Sequence, residues 1–245
     1  MKILISNDDG IFAPGIEALV KAFAQAGHEV TVCAPDSQRS AASHSLSIGR
    51  PVTVKETAFD GAVRAFAIGG TPADCVKLGL MRLCPDCEVV ISGINRGYNA
   101  GSDILYSGTV AAAMEGAICG RPALAVSQPH DREDYSQAAQ MAVRVFAQMM
   151  ERGLKPGSMI NLNYPGCDTP KGLVRAAMGQ LVYNEIYTPG AAENGDMYYT
   201  LNGVIDQSYA QSEDYARLCD GYATWTMLYA DLTKGGACSW EDLQL

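Results

Sequence analysis

The sequence predicts an α/β protein with a Rossmann-like, doubly wound and mostly parallel sheet, followed by a β-rich C-terminal extension. Over the first 165 residues, short apolar runs alternate with stretches of helical spacing. Such alternation requires crossover connections, which produce a parallel sheet with helices on both faces. Most of the apolar runs are bounded by turn residues and show no polar face, which is typical of strands buried on both sides.

Six strands are predicted in the first 165 residues, at positions 2–6, 29–34, 64–68, 88–92, 123–127 and 159–163. The stretch "RPVTVKETAFDGAVRAFAIGG" precedes and includes the third of them. It predicts a hairpin-like insertion with its turn near Asp60 and Gly61, because Asp-Gly is a strong turn signal.

Four helices are predicted between these strands. Apolar residues at helical spacing follow Pro14, which suits the first turn, and Gly27 suits the exit. Thr71 is placed to cap a second helix that runs to about residue 83. Residues 109–119 form a third helix of small residues that can lie close against a sheet, and residues 135–151 form a fourth.

Residues 166–245 lack this rhythm and carry Tyr, Gly and polar residues with short β-like runs such as 221–229. We interpret the chain as a single domain, residues 1–245. Residues 1–165 form the α/β core, and residues 166–245 form an extension. The extension is predicted to protrude as a hairpin for subunit contact and then to return to the core.

Net charge, the length of the apolar runs and the spacing of the cysteines argue against several classes of function. A net charge of −9 and a pI of about 4.8 argue against stable binding to nucleic-acid phosphates. The N-terminus lacks the profile of a signal peptide and no apolar run is long enough to cross a bilayer, so we expect a cytoplasmic protein without membrane association. Cys84 and Cys87 form a single CxxC, which we interpret as structural because a zinc ribbon needs a second pair.

Polar side chains follow three of the predicted strands. Asp8 and Asp9 come after the first strand, and Ser40 and His44 come after the second. Three more, Asn95, Asn99 and Asp103, come after the fourth. The carboxyl ends of parallel strands meet at one edge of a sheet, where ligands bind. Adjacent carboxylates repel each other, and a divalent cation removes the repulsion. The alternative for "NDDG" alone is a turn, with Asp8 capping the loop before the first helix.

A possible anion site lies in "YSGTVAAAMEG", where Ser107, Gly108 and Thr109 precede the small-residue helix. Free N–H groups and the dipole at a helix N-terminus favour phosphate, although a plain N-cap explains the same residues. A plain cap is also the favoured interpretation of "GGTP", residues 69–72. A metal beside a phosphate cradle is the arrangement used in phosphoryl chemistry. The glycine-rich fingerprints of dinucleotide-binding redox folds and P-loop NTPases are absent.

Several stretches resemble the SurE family of metal-dependent survival-protein nucleotidases: "ISNDDGIFAPGI", "APDSQRSAASHSLS", "GGTPADCVKLG", "ISGINRGYNAGSDILYSGTVAAAMEG", "PALAVS" and "YADLT". The resemblance implies a phosphatase acting on nucleoside 5′- and 3′-monophosphates with one Mn²⁺ or Mg²⁺ per subunit. It implies a homodimer or homotetramer. The implied roles are metal ligation by Asp8, Asp9, Ser40 and Asn95, and phosphate binding by Asn99, Ser107, Gly108 and Thr109.

The chain departs from the family pattern at Ala41, where glycine is usual, and at Glu213, where threonine is usual. We expect hydrolysis by a metal-activated water, with Asp8 and Asp9 as metal ligands in catalysis and Asp103 or His44 as general acid or base. Contacts to the base are expected from the tail or from a neighbouring subunit. Two rival functions stay open, a non-catalytic nucleotide sensor and a metal-dependent glycosyltransferase.

Overall fold

A computed structural model describes residues 1–192, 194–206 and 213–232 of the chain. Its helices and strands follow this order: β1 (Lys2–Ser6), α1 (Pro14–Gln25), β2 (Glu29–Pro35), β3 (Val54–Thr57), β4 (Arg64–Ile68), α2 (Pro72–Leu78), β5 (Val89–Arg96), α3 (Gly108–Ile118), β6 (Ala123–Gln128), α4 (Ser136–Arg152), β7 (Ser158–Asn163), β8 (Leu173–Arg175), β9 (Tyr183–Ala191), β10 (Met197–Ile205), α5 (Glu213–Cys219) and β11 (Ala223–Tyr229). A π-helical turn, Gly79–Leu83, continues α2, and a 3₁₀ turn, Gly101–Leu105, precedes α3.

A nine-stranded sheet forms the centre of the fold, in the order β3-β4-β2-β1-β5-β6-β7-β11-β8. From β4 to β7 all neighbouring strands are parallel, as predicted. Helices α1 and α4 pack on one face of the sheet, and α2 and α3 pack on the other. The predicted Rossmann-like, doubly wound architecture is confirmed.

The first strand shows why the central residues of such strands are apolar on both faces. Ile3 and Ile5 belong to the core beneath α1 and α4, whereas Leu4 belongs to the core beneath α2 and α3. All three side chains are fully buried. A strand buried on both faces has no polar face, so its sequence is a continuous apolar run.

The six predicted strands and four predicted helices are all present, with shifted ends. Strand β5 runs on to Arg96 through an irregularity in register between Ser92 and Asn95. The second helix loses α-geometry after Leu78. Strands β3 and β4 pair antiparallel, which confirms the predicted hairpin insertion.

In the extension, two strands pair only with each other and later strands join the main sheet. Strands β9 and β10 form a separate antiparallel hairpin. Strand β11 enters the main sheet between β7 and β8, antiparallel to β7. Helix α5 was not predicted, because one of its two buried residues is Asp214 and the usual apolar periodicity is missing. The last residue of the "YADLT" segment, at position 233, lies outside the described residues.

The cysteines of the described ranges are all free thiols, and Cys84 and Cys87 are buried. This supports the structural interpretation of the CxxC. No helix within those same ranges is both long and apolar enough to cross a membrane.

Helix α3 lies unusually close to the sheet. A Cβ atom built on Gly116 would stand 2.6 Å from Cβ of Val90 on β5, closer than such atoms approach in folded proteins. The consecutive residues Ala111, Ala112 and Ala113 are also buried. Small residues therefore set the depth at which α3 sits.

The loop after β2 is fastened to α2 and α3 by a buried carboxylate. Glu115, only 2% exposed, lies 2.8 Å from Nε2 of His44 through Oε2. Its Oε1 accepts a hydrogen bond from Nζ of Lys77 at 2.6 Å. Asp74 on α2 adds two hydrogen bonds from Ser47, through the backbone N–H and the hydroxyl. The loop that carries Ser40 is thus anchored at its far end.

Replacing Gly116 with Ala should lower the free energy of unfolding by about 1–3 kcal/mol, because the new methyl group collides with Val90. The sign is informative, since Gly→Ala in a helix interior ordinarily stabilises. Urea unfolding followed by circular dichroism measures the effect. The double variant with Val90→Ala should be less destabilised than the sum of the single variants, and strict additivity would contradict the proposed collision.

Replacing Glu115 with Gln should lower the free energy of unfolding near neutral pH by about 1–3 kcal/mol, because two hydrogen bonds lose a charged acceptor. Burial opposes ionisation of Glu115, but hydrogen bonds from His44 and Lys77 outweigh burial and hold its pKa below the ordinary value of 4.5. A carboxyl group whose pKa is lower in the folded than in the unfolded protein stabilises the fold at pH values above its pKa in the unfolded protein. This contribution is lost as the pH falls through its pKa in the folded protein.

Urea unfolding of both proteins at a series of pH values measures this difference. We expect the gap between wild type and Glu115→Gln to shrink as the pH falls below about 4.5. An unchanged gap at about pH 3 would mean that the charge of Glu115 contributes nothing to stability. Glu151→Gln, on the surface of α4, is the matched control and should behave as wild type.

Candidate metal and phosphate site

Asp8 and Asp9 lie directly after β1, at the carboxyl edge of the sheet. The turn that holds them is fixed from within, because Nδ2 of Asn7 donates to the carbonyl oxygen of Gly10 at 2.8 Å. It is also fixed from the neighbouring loop, where the backbone N–H of Arg39 donates to the carbonyl oxygen of Asp8 at 2.7 Å. The loops after β1 and β2 are therefore joined at the aspartate pair.

Asp8 is buried against the first turn of α3. The Thr109 hydroxyl donates a hydrogen bond to Oδ1 of Asp8. A Cβ atom built on Gly108 would stand 2.8 Å from Cβ of Asp8, so only glycine allows this approach. The positive end of the helix dipole thus faces a carboxylate, which is the favourable orientation.

Asp9 points toward the last residue of β5. Its Oδ2 accepts a hydrogen bond from the backbone N–H of Arg96 at 3.2 Å, and its Oδ1 lies 3.4 Å from Nε2 of Gln38. Asn95 precedes Arg96, and its Nδ2 donates to the carbonyl oxygen of Gly97 at 2.9 Å. Its Oδ1 accepts no hydrogen bond from the described residues, so a carbonyl oxygen beside Asp9 remains available.

Positive charge compensates the two carboxylates only in part, through Arg96, whose charge lowers the pKa of Asp9. Burial, opposed by the hydrogen bond from Thr109 and reinforced by the neighbouring charge of Asp9, raises the pKa of Asp8 to about 6. The pKa of Asp9 is also raised, mainly by burial. Within residues 1–192, 194–206 and 213–232, no Lys, Arg or His forms an ion pair with either aspartate.

The donor set around the pair suits a hard divalent cation. Such ions take carboxylate, amide and hydroxyl oxygens, which Asp8, Asp9, Asn95 and Ser40 can supply. Ser40 follows Arg39, the residue bonded to the Asp8 backbone, and is exposed in its loop. The described ranges contain no group of three or more His, Cys, Asp or Glu side chains that could hold a metal. An ion at the aspartate pair would therefore rely on the hydroxyl and amide oxygens as well.

The residues predicted to bind phosphate lie in two different places. Ser107 is the N-cap of α3, and its Oγ accepts a hydrogen bond from the backbone N–H of Val110 at 3.1 Å. The capping interpretation is thus correct for Ser107. Gly108 and Thr109 lie against Asp8, so the cap and the aspartate pair are adjacent. Phosphate binding by these residues stays a prediction.

Asn99 lies in a buried polar network beneath the same edge. Its Nδ2 donates to Oγ of Ser127 at 2.8 Å, and its carbonyl oxygen accepts from Asn161 and Asn163 at 2.8 and 2.9 Å. The side chain is thereby engaged in holding the loop after β5. Sequence reasoning missed this network, although two asparagines spaced two apart in the buried strand β7 were a visible signal.

Asp103 and His44 do not meet the aspartate pair. Asp103 accepts a hydrogen bond from the Tyr183 hydroxyl at the base of the β9–β10 hairpin. Burial raises its pKa, and the charge of Asp214 adds to the effect. His44 is engaged with Glu115. Among the described residues, no hydrogen bond joins Asp103 or His44 to Asp8 or Asp9.

The tail contributes one residue that sequence reasoning did not single out as functional. Asp214 on α5 is fully buried, and both of its carboxylate oxygens accept from the backbone N–H of Gly101, at 3.0 and 3.2 Å. The extension therefore holds the loop that leads into α3.

Known proteins are similar to this chain in sequence and in fold. The chain matches the family described as survival protein SurE over residues 3–185. It is 44% identical over 241 residues to the 5′-nucleotidase SurE of Clostridium beijerinckii, covering 95% of this chain and 94% of that protein. It is 42% identical over 241 residues to the 5′-nucleotidase SurE of a Clostridium botulinum strain, covering 96% of this chain and 95% of that protein.

A solved structure agrees with these relatives. The crystal structure of the SurE protein from Aquifex aeolicus superposes with a TM-score of 0.80 at 34% identity, covering 96% of this chain and 95% of that one. The family match spans well over half of the sequence and includes Asp8, Asp9 and the first turn of α3. The chain belongs to the SurE family.

Proposed function

We propose that this protein is a metal-dependent phosphomonoesterase that hydrolyses nucleoside 5′-monophosphates, and also 3′-monophosphates, to nucleoside and phosphate. The observation that carries the proposal is the buried Asp8–Asp9 pair, both of whose pKa values are raised, packed against the N-terminus of α3. The relatives named 5′-nucleotidase SurE support the substrate class.

We further propose that one Mn²⁺ or Mg²⁺ per subunit is held by Asp8, Asp9, Ser40 and Asn95. When bound, such an ion polarises a phosphate oxygen and lowers the pKa of a water molecule. Neither aspartate then serves as a covalent nucleophile, because both are ligands. The Asn95 amide fits this role, since its Nδ2 is bonded to Gly97 and its Oδ1 is not.

The surrounding residues would bind and orient the phosphoryl group. Thr109 and Gly108 bring the first turn of α3 to the aspartate pair, where N–H groups and the helix dipole favour anionic oxygens. Ser107 and Asn99 are the further proposed phosphate ligands. Asp103 is the proposed proton donor; burial raises its pKa and favours the protonated carboxyl, and this role requires its loop to exchange the hydrogen bond from Tyr183 for one to the substrate.

Oligomerisation is proposed to use the β9–β10 hairpin. Cross-strand pairing puts Leu201 opposite Tyr187 and on the same hairpin face as Tyr199 and Met197. These four side chains are 49–63% exposed, an apolar surface of the kind that marks protein interfaces. We propose that a second copy covers it in a homodimer or homotetramer. The free buried thiols of Cys84 and Cys87 support a cytoplasmic location.

Asp9→Asn should reduce phosphate release from nucleoside monophosphates by about 100-fold or more, because it removes one charged ligand from the cation. Release from the wild type should require Mn²⁺ or Mg²⁺ and stop with EDTA. The assay measures inorganic phosphate across a panel of nucleoside monophosphates. Asp60→Asn, in the exposed turn before β4, is the matched control and should leave the rate unchanged.

Calorimetry separates the proposed enzyme from a nucleotide sensor. Titration of the metal-free protein with Mn²⁺ should show a site that Asp9→Asn weakens and Asp60→Asn does not. Nucleotide binding by the wild type without phosphate release under any metal condition would contradict the enzymatic function.

Leu201→Lys should shift the protein toward a smaller oligomer, because it puts a charge within the apolar hairpin face. Light scattering coupled to size-exclusion chromatography measures the mass. Thr200→Lys places the same charge on the opposite hairpin face, beside Thr188, and should leave the mass unchanged. A wild-type monomer, or equal behaviour of the two variants, would overturn the proposed interface.

A further inference from the structure

We propose that the cleft beside Asp9 receives the planar base of the nucleotide, and that Phe12 is the surface on which the base stacks. This inference rests on the proposed function and names the residue that would determine base affinity. It assigns the base to residues of the core, whereas the sequence led us to expect base contacts from the tail or a neighbouring subunit.

The cleft has a volume of about 640 Å³ and lies between the loops after β1 and β2 and the segment that leads into α4. This volume falls within the range of small-molecule sites. Asp9 forms part of the wall, so the cleft opens directly from the carboxylate pair. A molecule whose phosphate lies at the pair can therefore extend into it. All lining residues lie within the first 135 positions of the chain.

Phe12 is presented on a rigid loop. Its side chain is 72% exposed, whereas the preceding Ile11 is fully buried. The backbone N–H of Ile11 donates to the carbonyl oxygen of Pro35 at 2.8 Å, and that of Ala13 donates to the carbonyl oxygen of Gly10 at 3.0 Å. An exposed aromatic ring on a fixed backbone is a prepared stacking surface, since every base offers a π-face.

Polar groups on the opposite wall complete the cleft. Arg132 is held by Oδ1 of Asp168 at 3.1 Å and Oε1 of Gln137 at 3.3 Å, which stiffens this wall. Its neighbour Glu133 is exposed, and its carboxylate has no hydrogen bond to the described residues. That carboxylate can accept from the N–H groups of a base. The larger ring face of a purine would stack more extensively on Phe12 than that of a pyrimidine.

The test compares AMP with ribose 5-phosphate, which lacks only the base, using the full-length protein loaded with Mn²⁺. Phe12→Ala should raise KM for AMP about tenfold with little change in kcat, because stacking remote from the reacting bond acts on binding. Neither constant should change for ribose 5-phosphate. Phe12→Trp should keep the KM for AMP near that of the wild type. Val63→Ala, an exposed apolar residue outside the cleft, is the matched control.

Calorimetric titration of the same proteins with both ligands keeps the test independent of turnover. Weaker binding of AMP alone to Phe12→Ala supports the base site even if no hydrolysis occurs, an outcome that would overturn only the proposed enzymatic function. An unchanged affinity and KM for AMP, or equal losses for AMP and ribose 5-phosphate, would overturn the base site while leaving the phosphatase intact.

Discussion

The contact between Asp8 and the first turn of α3 positions the rest of the site. It requires a residue without a Cβ atom at position 108 and a helix that can lie deep against the sheet. The small side chains of α3 satisfy the second requirement. Once α3 is in place, Glu115 on the same helix reaches His44 and thereby fixes the loop that carries Ser40. The close approach of α3 to Asp8 thus arranges both the loop after β1 and the loop after β2.

The electrostatics of this arrangement favour chemistry that uses a cation. Burying two neighbouring carboxylates costs free energy, and both pKa values are raised as a result. The helix dipole and the Thr109 hydroxyl offset only part of that cost. A divalent ion at Asp8 and Asp9 would offset the remainder and would attract an anionic phosphate to the same helix end. The same groups would then stabilise the ion and position the substrate.

The sequence predicted those features that depend on local patterns. Buried strands such as β1 have a central apolar run, and α3 is visible as a run of small residues, so the core layout could be inferred. The position of the aspartate pair at the edge of the sheet could be predicted because the carboxyl ends of parallel strands meet at a common edge. Asp214 and the asparagines of β7 were missed because their roles depend on partners more than 60 residues away. A local pattern can mark such residues as unusual, as the two asparagines of a buried strand do, but it does not identify their partners.

The link between Asp214 and Gly101 has a consequence for the order of folding. The two residues are 113 positions apart, and β11 pairs with the edge of β7 that faces away from β6. During synthesis, the parallel strands up to β7 leave the ribosome well before α5 does. The loop that leads into α3 thus gains its last backbone hydrogen bond late. Long-range closure of this kind is slow, so we expect the loop that leads into α3 to reach its final form only after α5 has been made.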